Sequence, residues 1–149
     1  MTNTNYKTIA SKIKFEGRAF INGKYVDAID GEKFETINPA TGETLCSVAK
    51  CNSKDVDLAV KVSRKAFNSG VWSRTSPEFR KDVLLKFADL LRAHGLENSV
   101  LECIDTGKLI GDCINEVAND APMHFQWYGE LIDKVFGKVG PTEPSLTSL

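Results

Sequence analysis

The sequence predicts a mainly α-helical chain with a β-hairpin region toward its N-terminal end. Three observations predict it. Turn signals at Asn22-Gly23, Asp30-Gly31 and Asn38-Pro39-Ala40-Thr41-Gly42 punctuate short strand-like runs in the first third. Beyond them, apolar residues recur at spacings of three and four. Ser, Pro and Gly stand where those helices would start and stop. The 149 residues are enough for a domain with a hydrophobic core.

Residues 1–18 read as an N-terminal extension. They are rich in Ser and Thr, carry Lys7, Lys12 and Lys14, and hold no acid before Glu16. That composition leans toward an organelle transit peptide, whereas the missing Arg in this run before Arg18 and the few apolar residues lean against one. Phe20-Ile21 and Tyr25-Val26 flank Asn22-Gly23, where both central turn positions need positive φ, so a tight hairpin is expected. At the third reversal, Pro39 pre-sets φ, Asn38 can bond its own backbone and Gly42 can turn left-handed, which makes a stiff corner.

Four helices follow. Ser53 is the expected N-cap of the first, with Asp55 and Asp57 beside the positive end of the dipole. Val56, Ala59, Val60, Ser63, Ala66 and Phe67 share a face, and Gly70 stops the helix. Ser76 caps the second, with Pro77 at its first position; Phe79, Val83, Phe87, Leu90 and Leu91 form its stripe, and His94-Gly95 close it. A short helix runs from Glu97 to about Asp105, with Val100, Leu101 and Ile104 inward. A long one runs from about Leu109 to Val135, and Pro122 should kink it or break it locally. Residues 19–138 thus read as one unit of β-hairpins plus four helices. Residues 139–149, rich in Pro and Ser, read as a linker.

Composition narrows the function classes. The chain is 42% hydrophobic and 26% charged with a formal net charge of −1, which gives neither nucleic acid nor an anionic membrane a reason to bind. No apolar run reaches the length of a membrane span. Cys46, Cys51, Cys103 and Cys113 show no C-x-x-C spacing, and only His94 and His124 could assist them, so reduced, mostly buried cytoplasmic thiols are expected rather than zinc or disulfides. There is no G-x-G-x-x-G, no G-x-x-x-x-G-K-[ST] and no β-α-β alternation. No Ser or Cys sits beside an obvious base. No catalytic and no cofactor-binding residue is therefore assigned in this chain.

Two features break local rules. Asp105, in ECIDTGK, falls in the last turn of its helix, where a carboxylate faces the negative end of the dipole. Either Lys108 compensates it or a bound cation does. Asp112, Glu116 and Asp120 recur every fourth residue and repel one another by a few tenths of a kcal/mol per pair. They form either a solvated face or an acidic wall that favours a cationic or amine-bearing ligand.

Taken in order, FINGKYVDA, FETINPATGETL, VDLAVKVSRKAF, WSRTSPEFRKDVLLKFADLL, LECIDTGK and WYGELIDKVFGK resemble the N-terminal part of the NAD(P)-dependent aldehyde dehydrogenase superfamily from about Ala19 onward. WSRTSPEFRK and IDKVFGK are similar to γ-glutamyl-aminobutyraldehyde dehydrogenases. The resemblance implies an α/β family fold of which this chain forms the helical, hairpin-bearing opening. It also implies that the catalytic Cys, the general-base Glu and the NAD or NADP site lie on further sequence, beyond an oligomerisation hairpin to which 139–149 would lead. The implied parent is a cytoplasmic homodimer or homotetramer that oxidises an aldehyde substrate, and this chain alone is expected to be inactive. A non-catalytic helical interaction or regulatory module derived from such an enzyme is the alternative. By resemblance, Thr36 and Ile37 would offer backbone oxygens, and Asp105 its carboxylate, to a monovalent cation, Na+ or K+. Glu116 and Asp120 would face the mouth of the substrate tunnel. The residue after Gly107-Lys108 is Leu109 where the family usually has Pro, which leaves the facing of Asp112 open.

Overall fold

The computed structural model describes residues 5–137. Helix α1 (Tyr6–Ala10) lies within the region read as an extension; the Asn5 side chain accepts from the Thr8 N–H at 3.2 Å. Strands β1 (Ala19–Ile21) and β2 (Lys24–Val26) form an antiparallel pair, with Asn22 at φ 56° and Gly23 at φ 74° as the sequence requires. Strands β3 (Lys33–Ile37) and β4 (Thr44–Ala49) form a second, separate antiparallel pair. The chain just before β1 joins this second pair, because the Gly17 carbonyl accepts from the Ala49 N–H at 2.7 Å. Only glycine fits there: a Cβ on residue 17 would lie 2.1 Å from the Ser47 oxygen.

Helix α2 spans Ser53–Ser69. Its cap is Asn52 rather than Ser53. The Asn52 side chain accepts from the Lys54 N–H, while Asp55 accepts from the Asn52 N–H at 2.9 Å, completing a reciprocal capping box. Gly70 ends the helix at φ 78°. Helix α3 (Pro77–Ala93) starts as its sequence demands, with the Ser76 hydroxyl accepting from the Phe79 N–H at 3.1 Å. Gly95 does not close α3 but opens α4 (Gly95–Thr106). The reason is steric. A Cβ at Gly95 would sit 2.8 Å from the Ala118 Cβ, so glycine is there to let two helical segments touch.

The long helix expected from Leu109 to Val135 is divided. Leu109 is the cap of the short helix α5 (Ile110–Cys113). A π-helical segment follows over Ile114–Asp120, then α6 (Ala121–Leu131), then a 3₁₀ turn over Ile132–Lys134. Pro122 is the physical cause. It has no N–H for the helical ladder and its ring would press on the carbonyl four residues back. Widening the turn before it relieves both problems, and the Ala121 N–H reaches the Glu116 carbonyl five residues away. Pro122 itself is fully buried.

Helices α3 and α6 form the main contact of the helical part. Gly129 lets α6 approach until a Cβ there would stand 3.1 Å from the Leu84 Cβ. Phe87 and Phe125 meet at right angles with ring centroids 4.7 Å apart. Lys81 reaches Asp133 at 2.8 Å, and Lys134 together with Lys81 holds the Asp133 carboxyl down at about 2. Yet among the described residues, Pro122 and the glycines aside, only Ala28, Ala49, Ala88, Val100 and Cys113 are buried apolar positions.

Candidate functional site

The Asn38–Gly42 corner is built as the sequence specifies. The Asn38 side chain accepts from the Ala40 N–H at 2.9 Å, the Gly42 N–H bonds the Asn38 carbonyl at 2.8 Å, and Gly42 has φ 74°. Its position is set by the end of α4. Gly107, the left-handed cap of that helix at φ 76°, lies so close to Pro39 that a Cβ would stand 2.8 Å from the proline ring. Corner and helix end are therefore in contact.

That contact brings Thr36 to Asp105. The Thr36 hydroxyl donates to the Asp105 carboxylate at 2.9 Å across 69 residues of sequence. Beside them the β3–β4 ladder slips. Thr36 pairs with Cys46 but Ile37 pairs with Thr44, leaving Leu45 as an extra residue. A bulge interrupts regular strand pairing and re-aims the backbone around it, and this one falls at the two residues whose carbonyls the family resemblance assigns to a cation. The site opens on a groove of about 570 Å³, whose walls include Phe15, Phe34, Val48 and Leu101. Leu101, expected to point inward, lies at this groove and is partly exposed.

Lys108 does not compensate Asp105. Its ammonium lies 2.6 Å from the Glu116 carboxylate and 3.6 Å from that of Glu102, which raises its own pKa, mainly through the Glu116 hydrogen bond. Among the described residues no cationic side chain lies within ion-pair distance of Asp105, and its one side-chain hydrogen bond comes from a neutral hydroxyl. The dipole conflict noted in the sequence thus persists in the fold. A single carboxylate with a hydroxyl at hydrogen-bond distance is a hard, weakly charged donor pair. It fits a monovalent ion better than a divalent one, which recruits more carboxylates.

Asp112, Glu116 and Asp120 are all exposed. Glu116 and Asp120 both lie on the π segment, so their facing follows its wider turns rather than the ordinary helical period on which the sequence argument rested. Lys108 offsets Glu116. Asp120 and Asp112 make no such pair among the described residues. His124, one turn on, has its Nδ1 2.7 Å from the Asp120 carbonyl.

The four cysteines are free thiols: Cys51 exposed, Cys46 and Cys103 half-buried, Cys113 buried, where desolvation pushes its pKa up. Burial is thus less general than the sequence reading expected. Both sheets are antiparallel pairs, and among the described residues no strand leads through a glycine-rich turn into a helix. These residues do not form a dinucleotide cradle.

Comparison with known proteins decides what this arrangement belongs to. The family model described as "Aldehyde dehydrogenase family" matches residues 25–149. The chain belongs to the aldehyde dehydrogenase family. It is 43% identical over 133 residues to the NADP/NAD-dependent aldehyde dehydrogenase PuuC of Escherichia coli, covering 89% of this chain and 27% of that protein. It is 40% identical over 141 residues to the aminoacetaldehyde dehydrogenase of Pseudomonas aeruginosa, covering 95% of this chain and 28% of that one. Among solved structures, the γ-glutamyl-γ-aminobutyraldehyde dehydrogenase of Burkholderia cenocepacia superposes with a TM-score of 0.89 at 42% identity, over 93% of this chain and 28% of that chain. The aldehyde dehydrogenase fold expected from the resemblance is therefore the fold of this chain. The chain spans little more than a quarter of the length of these relatives.

The residues that sequence reasoning named are in part brought together. Thr36 and Asp105 meet on one groove wall, with Ile37 next to Thr36 along β3; Glu116 and Asp120 share a separate segment. Reasoning from sequence placed Asp55 in the first turn of its helix but missed its role as a buried anchor. It is buried at 2% exposure and accepts from the Ile29 N–H and the Asn52 N–H, each at 2.9 Å. The available signal was an Asp three residues after Asn52, the spacing of a capping box.

Proposed function

We propose that this chain is the N-terminal segment of an NAD(P)-dependent aldehyde dehydrogenase that oxidises an aldehyde, in particular an aminoaldehyde, to a carboxylic acid. The observation that carries this is the family match across most of the chain. The described residues supply no nucleophile with a base and no nucleotide cradle, so the chemistry and the NAD or NADP belong to further sequence. The chain contributes scaffold, a wall and an ion site. Asp105 and the Thr36 and Ile37 carbonyls hold Na+ or K+, which offsets the carboxylate at the α4 C-terminus. Asp120 gives the tunnel mouth a negative potential suited to an ammonium-bearing substrate, while Glu116 beside it is largely offset by Lys108. The names of two relatives, an aminoacetaldehyde and a γ-glutamyl-γ-aminobutyraldehyde dehydrogenase, support that substrate class. The assembled enzyme is a cytoplasmic homodimer or homotetramer, with residues 139–149 leading to its oligomerisation hairpin; that stretch lies outside the described residues.

The test is a chimera in which this chain replaces the matching segment of the Escherichia coli relative. NAD(P)-dependent oxidation of aldehydes is the expected result, and a folded but inactive chimera would sink the reading. Two substitutions then address the residues. Asp105→Ala should abolish the gain in Tm given by Na+ or K+, on the order of 1–3 °C at cation concentrations near ten times Kd. A gain that survives the substitution removes Asp105 from the ion site. Asp120→Ala should raise KM for cationic aldehydes about threefold and leave kcat and neutral aldehydes unchanged, since one exposed charge contributes less than about 1 kcal/mol. Equal changes for neutral and cationic aldehydes would remove the acidic wall.

A further inference from the structure

Lys108 stands between Asp105 at the end of α4 and the acids of the long helical region. Its backbone is fixed just beyond Gly107, the left-handed cap of α4. The Lys108 N–H donates to the Thr106 hydroxyl at 3.3 Å, and the Cys103 thiol donates to the Lys108 carbonyl at 3.1 Å. From that hold the side chain crosses to the π segment, where its ammonium donates to the Glu116 carboxylate at 2.6 Å. Glu102, on α4, lies 3.6 Å from the same ammonium. The two elements also touch further along, where Gly95 of α4 meets Ala118.

The consequence is a matter of charge. Among the described residues no other cation pairs with Asp112, Glu116 or Asp120. Glu116 is the nearer of the two partners of Lys108, so most of its charge is cancelled, whereas Asp112 and Asp120, four residues to either side, keep theirs. Both members of the pair are about half exposed, so water and salt weaken the field without erasing it over a few ångströms. How negative the π segment is thus depends on one side chain borne by the link after α4.

We propose that Lys108 is a specificity-setting residue that acts through Glu116: by holding that carboxylate it fixes how much negative charge the π segment presents, and so limits the preference for cationic over neutral aldehydes. The proposal rests on the functional reading above for what this segment faces. The charge itself is measured without turnover, so the two can fail separately.

The experiment uses the chimera with Asn119→Cys, an exposed position next to Asp120 on the π segment. Its reaction with a trimethylammonium-bearing and with a sulfonate-bearing methanethiosulfonate is followed by mass on that peptide alone, so other thiols do not interfere. The ratio of the two rates reports the local potential. At low salt, Lys108→Met should raise the cationic-to-anionic ratio by about threefold or more, and Glu116→Gln should lower it. The double variant should return the ratio close to its starting value, because the pair removed is neutral, and Lys108→Arg should keep it. A mere change in exposure would move both reagents the same way and leave the ratio alone. Without the added cysteine, Lys108→Met should lower KM for cationic relative to neutral aldehydes by about threefold, and Glu116→Gln should raise it. If the chimera oxidises aldehydes but Lys108→Met leaves the labelling ratio unmoved, the functional reading stands and the proposal is overturned. A ratio that shifts as described in a chimera that oxidises nothing sinks the functional reading and supports control of the charge by Lys108. A shifted ratio with equal KM changes for cationic and neutral aldehydes overturns the link to specificity.

Discussion

Replacing Asp55 with alanine is expected to destabilise the fold by about 2–5 kcal/mol and to release the start of α2 from the loop before β3. The carboxylate accepts from two backbone donors, Ile29 N–H and Asn52 N–H, and is 2% exposed. Each donor left unpaired out of water costs about 1–3 kcal/mol. The loss of the capping box adds to the damage, because Asp55 is half of it. Asn52 also ties back to Asp30, donating from its amide at 2.7 Å. The anchor therefore joins three pieces of chain. Asp55→Asn separates charge from geometry. It keeps one acceptor oxygen and turns an amide N–H toward the other donor, so it should cost less than alanine but not restore the wild type. Urea unfolding at matched m-values reads both. If alanine costs less than about 0.5 kcal/mol, either water reaches the two N–H groups or α2 is not held by them.

That anchor illustrates which features the sequence carries openly. Turn chemistry was legible because it acts within four residues: Asn22-Gly23, the Asn38 to Gly42 corner, Ser76-Pro77 and Gly70 all fold as their residue types demand. Helical existence was legible from the apolar period. The break in the long helix was legible from Pro122; that it takes the form of a π segment was not, because that depends on how Pro122 and Ala118 are packed. Glycine at 95 looked like a helix stop, since sequence cannot distinguish a glycine needed for its backbone angle from one needed for its missing Cβ. Apolar patterning correctly marked the faces of α2 and α3, but a stripe does not say whether its partner lies within the chain. Likewise Asp105 was conspicuous by its clash with the dipole, whereas its neighbour Thr36 is 69 residues away and met it only by family resemblance. The bulge at Leu45 left no local sign at all.

Gly107→Val is expected to separate the Asn-Pro corner from α4, at a cost of about 2–5 kcal/mol, and to disable the proposed ion site without replacing any of its proposed ligands. Two effects add. Residue 107 has φ 76°, where a non-glycine side chain costs about 1–2 kcal/mol, and more for a β-branched one. Its Cβ would also meet the Pro39 ring at 2.8 Å, an overlap of the kind that costs about 1–3 kcal/mol when the neighbour cannot yield. Pro39 cannot easily yield, because it is fixed in a corner closed by the Asn38 and Gly42 hydrogen bonds. The two effects are separable. Gly107→Asn accepts the left-handed backbone at lower cost and keeps the clash, while Pro39→Ala removes the ring from the path. The double variant Pro39→Ala, Gly107→Asn should therefore regain part of the stability lost by Gly107→Asn alone, a coupling readable in a double-mutant cycle. Displacing the corner moves Thr36 away from Asp105, so in the chimera Gly107→Val should suppress the Na+ or K+ gain in Tm as fully as Asp105→Ala does. A Gly107→Val protein that keeps this gain would mean that the ion is held without the corner, and that Pro39 against Gly107 is packing alone.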